Sequence, residues 1–200
     1  MFSKYDVYTD CRSIYCYKDT NVLHNKLNIR DYETLKHADA DITAVKQQAM
    51  LFRPIAGRFT SHHLCQIHRF LFENIYPFAG RFRRENIRKG DTAFLNFKEV
   101  PQKLTFLLEK LRKEKYLRDL REPEMVARLA YYFAELNYIH PFREGNGRST
   151  REFIRELLYV NGFEVNWSEI AVNELLDAMI ASVYDPSSLE PALKRCISKK

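Results

Sequence analysis

The chain has 200 residues and a mass of 23.8 kDa, with 46% hydrophobic and 29% charged residues, a size and balance that suit one folded domain and exclude disordered, collagen-like and low-complexity classes. Basic residues exceed acidic ones by 32 to 26, giving +6 and a pI near 9.1, which suits an anionic partner without naming it. Apolar runs such as Leu129-Ala130-Tyr131-Tyr132-Phe133-Ala134 fall far short of the ~20 residues that span a bilayer. In chain order, the stretch from Met1 to Asp6 runs into further charges rather than an apolar segment with a small-residue cleavage site. No secretory signal is read, and a cytosol is expected, its own or that of a host cell into which the protein is delivered. Cys11, Cys16, Cys65 and Cys196 form no C-x-x-C pair and have no histidines at zinc spacing, so free thiols are expected.

Apolar spacing at i, i+3, i+4, i+7 predicts a string of helices and an all-α fold. Asp31 can cap a helix through Ala49, and Leu64, Ile67, Leu71 and Ile75 mark a second between Ser61 and Ile75. A third follows Lys98 with Pro101 in its first turn, and Glu122-Pro123-Glu124 opens a fourth that runs through Ile139. A fifth carries Phe153, Ile154, Leu157 and Leu158 and stops at Asn161-Gly162. Ser168 is read as the start of a sixth, with Leu175, Leu176, Met179 and Val183 inward, and a short last helix reaches Cys196. Between Phe78 and Phe97 the rhythm breaks, and the Lys89-Gly90-Asp91-Thr92 turn predicts a small β-hairpin. Of two basic clusters, Arg112, Lys113, Lys115 and Arg118 read as a solvated helix face. Arg81, Arg83, Arg84, Arg88 and Lys89 leave two readings open, solubility or attraction to ATP or an acidic target. With no repeat or linker, a single domain over 1–200 is expected.

The informative stretch is His140-Pro141-Phe142-Arg143-Glu144-Gly145-Asn146-Gly147-Arg148-Ser149-Thr150-Arg151, between the fourth and fifth helices. Gly145-Asn146-Gly147 can bend into a nest of backbone N–H groups that bind an anion, to which the next helix adds the positive end of its dipole. Arg148 and Arg151, three apart in the first turn, would repel that dipole unless a polyphosphate were bound. Glu144 is acidic beside the nest, which suits a magnesium ion bridging phosphate oxygens. His140, with a near-neutral ordinary pKa, suits a general base.

This stretch resembles the signature of the Fic (Fido) family, His-x-Phe-x-Asp/Glu-Gly-Asn-Gly-Arg-x-x-Arg, and matches it at every specified position. The resemblance extends from Tyr17-Lys18-Asp19-Thr20-Asn21-Val22-Leu23 through Ile67-His68-Arg69-Phe70-Leu71-Phe72, Phe78-Ala79-Gly80 and Lys89-Gly90-Asp91-Thr92-Ala93-Phe94 to Gly162. Relatives usually carry tryptophan where Phe78 stands. The resemblance implies a helical bundle with a hairpin flap, a core at about 54–167, an N-terminal segment 1–53 and a C-terminal cap 168–200. It also implies transfer of AMP from ATP to a Tyr, Thr or Ser hydroxyl of a target protein. In that reading His140 deprotonates the hydroxyl and Glu144 holds Mg2+. Gly145, Asn146, Gly147 and Arg148 cradle the phosphates, Arg151 reaches the γ-phosphate, and Phe142 anchors the loop in the core. The flap, Lys89, Gly90, Asp91, Thr92, Ala93 and Phe94, aligns an extended target segment through main-chain hydrogen bonds.

Two other functions stay open: transfer of UMP, phosphocholine or phosphate on the same scaffold, or a nucleic-acid-binding helical protein. The second leaves His140 and Glu144 unexplained; the related Doc proteins phosphorylate but have an altered Gly-Asn-Gly. In many relatives a helix bearing Ser/Thr-x-x-x-Glu-Gly/Asn pairs its glutamate with the second motif arginine, here Arg151. None of Glu73-Asn74, Glu85-Asn86 and Glu144-Gly145 fits that pattern. The resemblance therefore implies forms lacking an inhibitory helix and a separate small antitoxin, with Glu190 as the alternative within the chain.

Overall fold

The computed structural model describes residues 13–90 and 92–200. It is mostly helical, as the periodicity predicts: α1 (Tyr32–Phe52), α2 (Ser61–Phe72), α3 (Val100–Lys113), α4 (Glu122–Ile139), α5 (Asn146–Val160), α6 (Val172–Ala181) and α7 (Glu190–Cys196). Asp31 caps α1 by accepting from the Thr34 N–H, and Thr60 caps α2 through His63; each satisfies a first-turn donor that no helical carbonyl can reach. The centre is α5, which packs on α2 and α4, while α1 lies on α2 and α3 on α4. Its buried residues include not only Phe153, Ile154, Leu157 and Leu158 but also Arg148, Glu152, Arg155 and Glu156. Such groups are tolerated inside because they are paired: Arg155 with Glu152, and Glu156 with the His63 ring at 3.0 Å.

Several expectations are corrected. α2 stops at Phe72, where Ile75 and Tyr76 fold their N–H groups back onto the Phe72 carbonyl; Ile75 is still buried. Ser168 does not start the sixth helix. The Asn166 carboxamide accepts from both the backbone and the hydroxyl of Ser168, which closes a single 3-10 turn, Trp167–Glu169, and α6 begins only at Val172. The hairpin ladder is shorter than the segment suggested, with β1 (Arg88–Lys89) paired antiparallel to β2 (Thr92–Ala93). A second two-stranded sheet escaped the periodicity: β3 (Phe163–Val165) pairs antiparallel with β4 (Ile197–Lys199). Lys115, Tyr116 and Leu117 all have positive φ, a left-handed turn joining α3 to α4. Cys16, Cys65 and Cys196 are free thiols, and Cys11 lies outside the described residues. Arg112, Lys113, Lys115 and Arg118 are exposed, as read. Among the described residues no helix is long and apolar enough to cross a membrane.

Candidate active site

The loop between α4 and α5 is built around a left-handed residue at each end. His140 ends α4 with φ 45°, and Gly145 precedes α5 with φ 77°. Gly145 is required twice over, since a Cβ there would sit 2.2 Å from the Phe72 ring. The Asn146 side chain closes the loop from inside: its Oδ1 accepts from the Phe142 N–H at 2.8 Å, and its Nδ2 donates to the Phe142 carbonyl at 2.8 Å. The side-chain amide is thus occupied with shaping the loop, which leaves the backbone N–H of Asn146 for the nest read from the sequence. The N–H groups of Asn146, Gly147 and Arg148 begin α5 and have no carbonyl upstream at helical spacing. Backbone donors grouped in this way at a helix N-terminus are suited to an anion.

Two residues that the motif does not contain hold this loop. His68, on α2, accepts the Gly80 N–H at Nδ1 (2.8 Å), so its Nε2 carries the proton and donates to the Glu144 carbonyl at 2.9 Å. The ring stacks on Phe142, centroids 3.8 Å apart. Burial pushes the His68 pKa down to about 3, so the ring is neutral. Arg83, read as part of a basic surface cluster, is fully buried. Its guanidinium donates to the carbonyls of His140 (2.8 Å), Ile139 (3.3 Å), Glu85 (2.8 Å) and Leu95, neutralising the carbonyl end of α4. No periodicity signals either role, because a buried polar group obeys its partners and not an apolar pattern. Phe78 is buried, its ring stacked on Tyr76 and edge-on to Tyr15.

His140 donates from Nδ1 to the Asn137 carbonyl at 3.0 Å, which leaves Nε2 as an acceptor. Its ring stacks on Phe94 of the flap, 3.7 Å between centroids. Burial above all, with Lys89 and Arg83 adding repulsion, lowers its pKa to about 3. A nearby polyanion would raise it again. Glu144 accepts the Gly145 N–H at 2.8 Å and lies 3.4 Å from Arg148. Arg148 is buried and engaged: its guanidinium forks onto Asp39 of α1 and donates to the Thr43 hydroxyl at 3.0 Å. Burial alone would lower Arg148, but Asp39 raises it above its ordinary value. Arg151 differs. Among the described residues its guanidinium forms no ion pair or hydrogen bond, and burial with repulsion from Arg148 lowers its pKa to about 10, so it stays charged.

These side chains meet on one cleft of about 490 Å³. His140, Glu144, Arg148 and Arg151 line its polar end with the Gly145-Asn146-Gly147 turn, and Lys89, Thr92 and Phe94 line it from the flap. Gly90 and Ala93 are exposed on the hairpin, and Asp91 lies outside the described residues. The far wall was not anticipated as a site. Leu176, Met179 and Val183, expected inside the core, are only partly buried because they face this cleft together with Trp167 and Ile170. Glu190 is paired with Lys194 at 3.3 Å and does not line the cleft.

The sequence profile of the Fic/DOC family matches residues 58–158. Over 190 residues the chain is 34% identical to the protein adenylyltransferase VbhT of Bartonella schoenbuchensis, covering 95% of this chain and 38% of that protein. Over 195 residues it is 33% identical to the "Probable protein adenylyltransferase Fic" of Salmonella typhimurium, covering 97% and 96%. Among solved structures, the N-terminal Fic domain of a VirB-translocated Bep effector from Bartonella quintana, with bound ADP, superposes with a TM-score of 0.89 at 25% identity, covering 93% of this chain and 95% of that one. BepC of Bartonella tribocorum, with bound AMPPNP, shares the fold at a TM-score of 0.87, with 24% identity over 93% and 97% of the two chains. The cleft between α4, α5 and the flap is thus set in a chain that belongs to the Fic/DOC family.

Proposed function

We propose that this chain is a protein adenylyltransferase that moves AMP from ATP to a Tyr, Thr or Ser hydroxyl of a target protein. One observation carries the reading: a neutral histidine with Nε2 as acceptor shares a cleft with a helix N-terminus and with Arg151, a cation that no described carboxylate neutralises. An anion with several charges answers both, and the apolar wall of Trp167, Ile170 and Met179 suits a flat base. Adenylyltransferase relatives that cover most of the chain, and a fold relative holding ADP, support it.

The step balances with groups on this chain. His140 Nε2 takes the hydroxyl proton, the target oxygen bonds to the α-phosphorus, and the bond from that phosphorus to the bridging oxygen breaks, releasing pyrophosphate. The N–H groups at the start of α5 receive charge on the α- and β-phosphates and Arg151 that on the γ-phosphate, so positioning and electrostatics do most of the work. The low resting pKa of His140 keeps the base deprotonated, and nucleotide charge strengthens it on binding. For Mg2+, the residues fit: Glu144 presents one hard carboxylate on the cleft, and this ion characteristically takes one or two carboxylates with substrate phosphates. It would neutralise phosphate charge there.

Lys89, Thr92 and Phe94 offer the flap edge to an extended target segment. A separate small helical inhibitor, presenting a glutamate to Arg151, belongs to the same proposal, since Glu190 is engaged with Lys194 away from the cleft. Incubating the protein and a lysate with ATP labelled at the α or the γ position tests the reading. Label on protein from the α position alone is expected. Label from the γ position would mean phosphate transfer, and label from neither would refute nucleotide transfer.

A further inference from the structure

Arg148 is fixed from outside the segment that defines the family. Asp39, Thr43 and Gln47 of α1 recur every four residues and so share one face of that helix. Gln47 reaches the cleft, while Asp39 and Thr43 are buried beneath it. Asp39 accepts both guanidinium nitrogens of Arg148, Nη2 at 3.2 Å, and the Tyr76 hydroxyl at 2.7 Å. Thr43 donates to the Asp39 carbonyl at 2.7 Å and accepts from Arg148 at 3.0 Å. The guanidinium also lies over the Phe72 ring, 4.6 Å from its centroid. The planar fork is thereby held on two edges and one face, and the long 3.4 Å contact to Glu144 is the weaker of its two carboxylate contacts. Without Asp39, Arg148 would be drawn wholly onto Glu144, since a buried cation seeks the nearest anion.

We propose that Asp39 is a positioning residue of the adenylyl-transfer site: it fixes the Arg148 guanidinium and keeps that charge from closing over the Glu144 carboxylate. This rests on the transfer reading above. It goes beyond the motif by making α1 part of the catalytic apparatus and not merely a packing partner. Tyr76 and Thr43 support the same arrangement through bonds of no net charge.

The test is a pair of mutant cycles on the full chain, read both as kcat/KM for transfer and, by calorimetry, as ATP affinity in a metal chelator. Asp39→Asn keeps the shape and removes the charge, and is expected to lower kcat/KM at least tenfold. If it acts through Arg148, that loss shrinks to less than twofold in an Arg148→Gln background and persists in full in an Arg151→Gln background. An equal loss in both backgrounds would overturn the proposal, because damage to the fold does not discriminate between the two arginines. Should Asp39→Asn not fold, Thr43→Val goes through the same cycles; its smaller loss must likewise vanish only with Arg148→Gln. The calorimetric arm needs no turnover. A chain that binds ATP with this coupling but transfers nothing would sink the transfer reading alone, whereas transfer without the coupling would sink this one.

Discussion

Acid should unfold this protein earlier than its carboxylates would, and His68 allows the effect to be measured one proton at a time. In the unfolded chain a histidine titrates near 6.5. Folded, His68 and His140 are pushed down to about 3, in each case chiefly by burial. Between those values the unfolded state binds protons that the native state refuses, so stability is full above about pH 6.5 and falls as pH falls toward 3. Each ring then removes ~1.4 kcal/mol per pH unit, or about 2 kcal/mol by pH 5, and the two together about 4 kcal/mol. Against a typical total of ~5–15 kcal/mol, that is a large fraction before most carboxylates are protonated. The perturbation is His68→Gln, whose amide can still accept from Gly80 and donate to the Glu144 carbonyl. Urea unfolding from pH 7.5 to 4.5 would give stability at each pH. The variant should begin less stable at pH 7.5, having lost the stack on Phe142, yet its slope should be shallower by one proton, ~1.4 kcal/mol per unit below pH 6. Parallel curves for parent and variant would refute the argument, since they would mean that His68 is protonated in the folded state.

Other expectations concern the cleft directly. His140→Ala should abolish transfer, by ~10³-fold or more, while calorimetry finds ATP binding within a few-fold of the parent, because the ring moves a proton and does not hold phosphate. Arg151→Ala should weaken ATP binding by ~10–100-fold, the worth of a charge-assisted contact to phosphate, and unchanged affinity would remove it from that role. Glu144→Gln should need several-fold more magnesium for half-maximal activity; equal activity of the parent in a chelator would defeat the assignment. Gly145→Ala should cost ~2–4 kcal/mol in urea unfolding, from positive φ and from collision with Phe72, and Phe72→Leu in the same chain should recover part of it.

The helices were legible because their apolar stripes repeat, and caps such as Asp31 stand where the stripe begins. The motif residues were legible for a different reason: Gly145, Asn146, Gly147 and the two arginines make poor sense in a loop with no ligand. What escaped was set by distant partners. Nothing local distinguishes the buried Arg83 from exposed Arg81 and Arg84, and only the carbonyls of His140 and Leu95 explain it. Asp39 looks like a solvent-side acid until α1 is laid against Arg148. The apolar residues after Ser168 satisfied the helical pattern, but the pattern cannot tell a core from the wall of a cleft, and Asn166 spent the expected start on a 3-10 turn. Strand β3 was invisible because three residues carry no periodicity and its mate lies beyond α7.

The four carbonyls gathered by Arg83 come from both stems of the flap and from Ile139 and His140 at the end of α4. Glu85 and Leu95 mark where the flap leaves and rejoins the body, and both are tethered to the same atom group as His140. Between the tethers Phe94 is held by its stack on His140 and Ile87 by burial, but the exposed tip around Gly90 can be rewritten or lengthened while the anchor points keep their register to the histidine. In the proposed function the flap docks the target, so exchanging flap tips between relatives is expected to redirect the chain to other targets without disturbing the surroundings of His140.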